Sequence, residues 1–363
     1  MSAAPAVRAR LVATWCGIAL IALVTGLLPA DIASARDAGS TPARMDRGRT
    51  MGNQPFRPGT PYTGNFPDPT VLRVGNVFYV ASTTLGGLSL PMMTSTNLRT
   101  WMPHDDAMPA GAAWASTKTT KSGRAYWPTW APSIAGVSPG HYVAAYAVPQ
   151  ATDGRRCISV AQAGGPLGPF VDRTTGPLTC GIRAAIDPQI FRDRGVTWLL
   201  YKWAASPDRL VVRRMTSSAT AFAPGSRNFS LLAPRLAWEG DTVENPAMIR
   251  FRGRLYLFYS ANKFATSKYA TGYAICTTVT GPCRRMGRLL DTGPYLAGQG
   301  GATPFVDRAG RLRLVYHAWR TGNVGYPSDD SCLSTSAGCP QRRMYVAWLA
   351  VGKKGKLVVR QRF

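Results

Sequence analysis

Five stretches of this chain open on the same phrase. They begin at Asp68-Pro69, Ala131-Pro132, Asp187-Pro188, Glu244-Asn245-Pro246 and Thr303-Pro304. Each runs into a short apolar segment, a glycine-containing turn and a second apolar segment rich in aromatics. The prolines lie 63, 56, 58 and 58 residues apart. Such a period constrains the fold more tightly than composition does, because each copy is one supersecondary unit that must bury its faces against its neighbours. Residues 61–363 divide into five units on this basis. In the fourth, strands are expected over 247–252, 255–260, 270–277 and 288–291. Third strands of other units are expected over 90–94, 157–162, 210–215 and 344–349. Five four-stranded antiparallel units in series predict an all-β, five-bladed β-propeller. A β-sandwich does not require five matched phrases, and a β-helix has much shorter repeats.

Composition agrees. Of 363 residues, 45% are apolar, with 37 Gly and 28 Pro. The core is ample and turns are many, and no long stretch carries a 3.6-residue apolar period, so little helix is expected. The first 35 residues read as a secretion signal. Arg8 and Arg10 precede an apolar run from Leu11 to Leu28, and Ala33-Ser34-Ala35 supplies a small-residue cleavage site. The run is long for a signal, so a retained anchor is the alternative. Residues 36–60 read as a flexible linker, leaving 61–363 as the catalytic propeller.

Beyond Cys16, six cysteines remain, and an even count in an exported chain implies disulfides. Their spacing favours the sequential pairs Cys157–Cys180, Cys276–Cys283 and Cys332–Cys339. None has the C-x-x-C spacing of a zinc site. The formal charge is +25, from 43 Lys and Arg against 18 Asp and Glu. That balance admits a polyanion binder. The basic residues are scattered, however, and no nucleic-acid motif is visible, so a basic exported surface is the preferred reading.

In a propeller the first strand of each blade lines the central channel, so the five phrases place Asp68, Asp187 and Glu244 at one mouth. Ala131 and Thr303 leave the other two blades without charge there. Taken singly, each acid reads as a turn or surface residue. Taken together, three converging carboxylates push at least one pKa upward and set a protonated acid beside an ionised base. Glycosidic bond hydrolysis needs that pairing.

These residues resemble glycoside hydrolase family 43. The resemblance rests on Phe66-Pro67-Asp68-Pro69, Trp130-Ala131-Pro132, Ile186-Asp187-Pro188, Val243-Glu244-Asn245-Pro246 with Tyr256 to Ser260, and Val315 to Trp319 around His317. It implies a five-bladed propeller and an inverting mechanism, with Asp68 as general base, Glu244 as general acid, and Asp187 modulating the pKa of Glu244 and orienting it. It also implies that His317 faces the channel as a ligand for an ion or a water. A structural calcium ion could sit there, although the chemistry itself requires no cofactor. Trp127, Trp130, Trp203 and Phe264 are candidates for stacking on sugar. The expected activity is that of an α-L-arabinofuranosidase or endo-arabinanase, with β-xylosidase or galactan cleavage next and a non-catalytic carbohydrate-binding propeller as the rival. The expected partner is a carbohydrate substrate, for a secreted monomer that binds no nucleic acid and keeps no membrane attachment once its signal is removed.

Overall fold

The structure, a computed structural model, describes residues 56–327 and 339–362. The expected signal (1–35), nearly all of the expected linker (36–60) and Cys332 lie outside the described residues. Among the described residues there is no α-helix, only single 3-10 turns at Ala237–Glu239 and Lys353–Gly355. No helix there is long and apolar enough to cross a membrane.

Five antiparallel sheets follow one another along the chain. Blade 1 holds β1 (Thr70–Val74), β2 (Val77–Ala81), β3 (Met92–Ser95) and β4 (Met102–Pro103). A small hairpin, β5 (Lys118–Thr119) and β6 (Ala125–Tyr126), precedes blade 2, which holds β7 (Trp130–Ser138), β8 (His141–Pro149) and β9 (Arg156–Ala163). Blade 3 holds β10 (Ala184–Asp193), β11 (Val196–Ala204), β12 (Arg209–Arg214) and β13 (Phe229–Leu232). Blade 4 holds β14 (Val243–Phe251), β15 (Arg254–Ala261), β16 (Ala270–Cys276) and β17 (Cys283–Leu290). Blade 5 holds β18 (Leu296–Val306), β19 (Leu312–Arg320), β20 (Arg343–Val351) and β21 (Leu357–Arg362). The fold is a five-bladed β-propeller with four strands in every blade but the second. There a bridge from Gln162 to Val171 continues the outer edge.

The second strands show why these sequences form blades. A strand sends alternate side chains to opposite faces, and an inner propeller strand has a neighbouring blade on each face. In β15, Leu255, Leu257, Tyr259 and Ala261 join the apolar cluster shared with blade 3, while Tyr256 and Phe258 join the one shared with blade 5. In β8, Ala144, Tyr146 and Val148 face blade 1, and Val143 and Ala145 face blade 3. Both faces are apolar, so these strands read as continuous apolar runs rather than as alternation. The fifth cluster, with Phe66, Phe78, Phe305 and Val315, packs blade 5 against blade 1. Two disulfides form as expected: Cys157–Cys180 in blade 2 and Cys276–Cys283, which bridges β16 and β17 in blade 4.

The five phrases mark a left-handed residue at the mouth end of each first strand, with a β-bulge in blades 2 to 5. Asp68, Ala131, Asp187 and Asn245, each directly before proline, are left-handed with φ of 51°, 39°, 56° and 50°. In blade 5 the left-handed position is Gly301, at φ 60°. The ladder slips there, between Trp130 and Ser133, Ile186 and Gln189, Glu244 and Ala247, and Gly300 and Thr303. A bulge frees a backbone N–H from the ladder, and the preceding blade accepts it. Asp68 N–H donates to His317 Nδ1 at 3.0 Å, and Ala131 N–H donates to Thr83 Oγ1 at 2.9 Å. Asn245 N–H donates to Asp187 Oδ2 at 2.9 Å, and Gly301 N–H donates to Ser260 Oγ at 2.9 Å. A Cβ on Gly301 would meet His317 Nδ1 at 2.4 Å, so the glycine is required by space as well as by φ.

Each blade is built from one contiguous stretch of chain, so the ring closes without an exchanged strand among the described residues. Instead, Asn65 forms an antiparallel bridge with Arg343. Its buried Oδ1 accepts from Arg342 N–H at 2.8 Å and from the Tyr326 hydroxyl at 3.0 Å. Replacing Asn65 by Ala strands one buried and one part-buried donor, and loss of a buried partner costs on the order of 1–3 kcal/mol. The expected outcome is a fall of about 2 kcal/mol in unfolding free energy by urea titration. An unchanged midpoint would show that Asn65 does not secure the closure.

Candidate active site

Asp68 lies just before β1 with its side chain 16% exposed. Thr83 donates its hydroxyl to Oδ2 at 2.8 Å, and Arg342 Nη1 lies 3.0 Å from Oδ1 and 3.2 Å from Oδ2. Arg342 is held in turn. Its Nε donates to the Tyr326 hydroxyl at 3.2 Å, and its guanidinium lies 4.8 Å over the Phe264 ring and 5.4 Å over Tyr326. Burial by itself raises the Asp68 pKa, but the Arg342 charge and the Thr83 hydrogen bond outweigh it and hold the carboxyl below its ordinary value. His317 would add to that pull only if charged. Burial, and then Arg342, push its pKa down to about 3, so at neutral pH the ring is uncharged and Arg342 carries the effect.

The tautomer of His317 follows from its partner. Nδ1 accepts the Asp68 N–H, so the neutral ring carries its hydrogen on Nε2, which is buried with no protein partner. That nitrogen is a donor and suits an oxygen such as water. It has no lone pair for a cation, and among the described residues no three His, Cys, Asp or Glu side chains converge on a metal position. The His317 geometry therefore does not fit a directly ligated calcium ion.

Across the mouth, Asp187 and Glu244 sit on the bulges of β10 and β14. Lys202, on β11 beside Ile186, places Nζ 3.0 Å from Glu244 Oε2 and 2.9 Å from Asp208 Oδ2. The Tyr269 hydroxyl donates to Glu244 Oε1 at 2.8 Å, and its ring stacks on His317 at 5.9 Å. Burial, followed by the nearby Glu244 and Asp68 charges, holds the Tyr269 pKa well above its ordinary value, so it remains a donor. Glu244 thus accepts on both oxygens. Asp187 has the Asn245 N–H but no cation of its own. Burial, and next the Glu244 charge, push its carboxyl up to about 8, with Lys202 opposing. At neutral pH the Asp187–Glu244 pair holds a proton.

The structure brings all three acids to one mouth but offsets one of them. Asp68 and Asp187 occupy the left-handed bulge position, whose counterparts are Ala131, Asn245 and Gly301. Glu244 sits one residue earlier, in register with Trp130 and Ile186. Among the aromatics, Phe264 is 41% exposed under Arg342, and Trp130 is 43% exposed at the start of β7. Trp127 instead donates to the Ala112 carbonyl at 2.9 Å and packs over Gly111. Trp203 packs on the apolar cluster between blades 2 and 3. Lys202 and Arg342 were not among the expected site residues. Lys202 leaves a trace, a single lysine inside an otherwise apolar strand, which is rare unless paired. Arg342 leaves none, because it stands beside Arg343 in a chain with 43 Lys and Arg.

A sequence profile described as Glycosyl hydrolases family 43 matches residues 61–336. No curated protein matches significantly. Among solved structures, a thermostable family-43 glycoside hydrolase is 23% identical with a TM-score of 0.64, the match covering 84% of this chain and 94% of that one. An endo-1,4-beta-xylanase from Bacteroides thetaiotaomicron is 22% identical with a TM-score of 0.63, over 83% and 97%. The alpha-L-arabinanase of Cellvibrio cellulosa is 21% identical with a TM-score of 0.62, over 82% and 95%. At these identities the likeness is one of fold.

The raised carboxyl of Asp187 has a consequence for stability. Folded Asp187 keeps its proton up to about pH 8, whereas the unfolded side chain, near 3.8, releases it much earlier. Its contribution is complete below the unfolded value and is lost as pH rises through the folded one. Wild-type unfolding free energy should therefore fall by about 1 kcal/mol per pH unit between about pH 6 and 8 through this group. Asp187→Asn should lack that slope in urea titrations across the range. Equal slopes in both proteins would contradict the assignment.

Proposed function

The chain belongs to glycosyl hydrolase family 43 and is a glycoside hydrolase, and from that membership we propose a secreted, inverting enzyme acting on arabinose-containing polysaccharide. The first activities to test are those of an α-L-arabinofuranosidase or endo-arabinanase. The two disulfides suit an oxidising destination. The observation that carries the reading is the division of charge at the mouth. Asp68 is held ionised by Arg342, while the Asp187–Glu244 pair retains a proton.

In this mechanism the ionised Asp68 removes a proton from water as the water oxygen bonds to the anomeric carbon. Glu244 gives its proton to the glycosidic oxygen as the carbon–oxygen bond breaks. The two proton transfers occur on opposite faces of the sugar, so the anomeric configuration inverts. Asp187 orients the strand around Glu244 through the Asn245 N–H and passes its proton to Glu244 for donation; after product release Asp68 gives up its gained proton to water and the pair takes one back from water. Lys202 and Tyr269 fix the Glu244 carboxyl and must yield one oxygen when the acid is loaded. Phe264 and Trp130 supply apolar surface for the sugar rings.

A second reading follows from where the proton rests: Asp187 could itself be the donor. Leaving-group dependence separates the two. General acid–base groups contribute about 10²–10⁴-fold, so Asp68→Asn and Glu244→Gln should each lose about that factor on arabinan or arabinoxylan. On an aryl α-L-arabinofuranoside with a dinitrophenyl leaving group, which needs no protonation, Glu244→Gln should recover most of its rate while Asp68→Asn does not. Recovery by Asp187→Asn instead would make Asp187 the acid. If wild type hydrolyses no arabinan, arabinoxylan, xylan or galactan, the chain is a binding propeller and the assignment fails. Proton NMR of the first product should show the inverted anomer.

A further inference from the structure

The hydrolytic site draws on Arg342 and Lys202 but on little else of the chain's positive charge, and one cation near it stands apart from the rest. Arg156 opens β9, and its guanidinium lies 3.3 Å over the Trp130 ring. Nη1 donates to the Pro128 carbonyl at 2.9 Å. Among the described residues no carboxylate pairs with it. The other cations buried at the mouth are each matched, Arg342 with Asp68, and Lys202 with Glu244 and Asp208. Burial alone pulls Arg156 down to about 10, so it stays charged at neutral pH while losing hydration. A desolvated charge without a counter-ion is unfavourable unless a partner arrives.

Its position says where that partner would come from. Trp130 precedes Ala131, whose N–H donates to the Thr83 hydroxyl, and that hydroxyl donates to Asp68 Oδ2. The Trp130–Arg156 platform is therefore two hydrogen bonds from Asp68, on the blade 2 side of the mouth, with Trp130 43% exposed. We propose that Trp130 and Arg156 form a subsite for an acidic sugar unit, a uronic acid, so that the substrate is an anionic rather than a neutral polysaccharide. The sugar ring packs on the free part of the indole, and its carboxylate takes the guanidinium fork left open by Pro128. A neutral pentose offers nothing for that fork. This inference rests on the glycosidase reading for its role in catalysis, but the subsite itself is a binding property.

The rival account is unspecific attraction by other arginines. The strongest alternative locus is a cavity of about 830 Å³ at the opposite end of blade 4, where Arg235, Arg254 and Arg284 have no ion-pair partner among the described residues. The test measures binding in a Glu244→Gln background, so that hydrolysis does not intrude. Calorimetric titration compares glucuronoarabinoxylan with the same polymer after chemical reduction of its carboxyl groups. The acidic form should bind about tenfold more tightly, the scale of one charge-assisted contact. Arg156→Gln should bring the ratio to about 1, and Arg156→Lys should keep part of it. Trp130→Ala, which leaves the Arg156 bond to Pro128 in place, should weaken both polymers. Arg254→Gln with Arg284→Gln should leave the ratio unchanged. The proposal is overturned if both polymers bind alike, if the preference survives Arg156→Gln, or if it vanishes in the Arg254 and Arg284 variant. Lack of hydrolysis by wild type would contradict the glycosidase reading and not this comparison.

Discussion

Three part-buried carboxylates at one mouth with too few cations set the chemistry of this protein. Asp68 has Arg342 to itself. Lys202 is divided between Glu244 and Asp208, and Asp187 has no cation of its own. In a low-dielectric channel an unmatched carboxylate is costly, and taking up a proton is the least costly way to neutralise it. Ionised and protonated acids thus face one another across the channel without any change in residue type. Mechanistically the two cations differ as much as the acids do: Arg342 fixes the charged state of one side, while Lys202 must share, and so leaves the other side able to hold a proton.

The backbone device that makes this possible is the left-handed residue at the mouth end of each first strand. A left-handed residue is tolerable for Asp and Asn and readily adopted by Gly; the phrases supply Asp68, Asp187 and Asn245, and in blade 5 Gly301, two residues before Thr303-Pro304, takes the position. Each freed N–H whose partner is identified is accepted by the blade before it, so the bulges stitch the blades together at the mouth. One stitch uses Asp187 and another uses His317, so the hydrogen bonds that hold the ring also fix the tautomer of the histidine and the orientation of the acid. The closure shares this economy, because Asn65 positions the backbone of Arg342, the cation that keeps Asp68 ionised.

Much of this was legible from the amino-acid order, and the rest was hidden for physical reasons. The period of the phrases predicted the blades, and the acids within them predicted the mouth. The offset of Glu244 is written in the phrases, since it stands two residues before its proline where Asp68 and Asp187 stand one before theirs, but only the strand register shows that this aligns it with Trp130 and Ile186. Lys202 could have been found as a lone charge in the apolar strand around Tyr201 and Trp203. Arg342 could not, since its importance comes from closure between chain segments 274 residues apart. The aromatics divided by what lay beneath them. Trp127 and Trp203 complete the packing of neighbouring blades, while Phe264 and Trp130 stay open because arginines, not apolar side chains, cover one face of each.

The central claim is that the Asp187–Glu244 pair retains one proton at neutral pH while Asp68 does not. Carboxyl carbon NMR of protein labelled at Asp and Glu, followed through a pH titration in wild type and in Asp187→Asn, reads this directly. The account predicts one carboxyl titrating near about 8 in wild type and missing from the variant, with Asp68 ionised throughout the neutral range. If every carboxyl of the wild-type protein instead titrates below about pH 5, as unperturbed Asp and Glu do, the mouth holds no stored proton and the division of roles proposed for its acids is wrong.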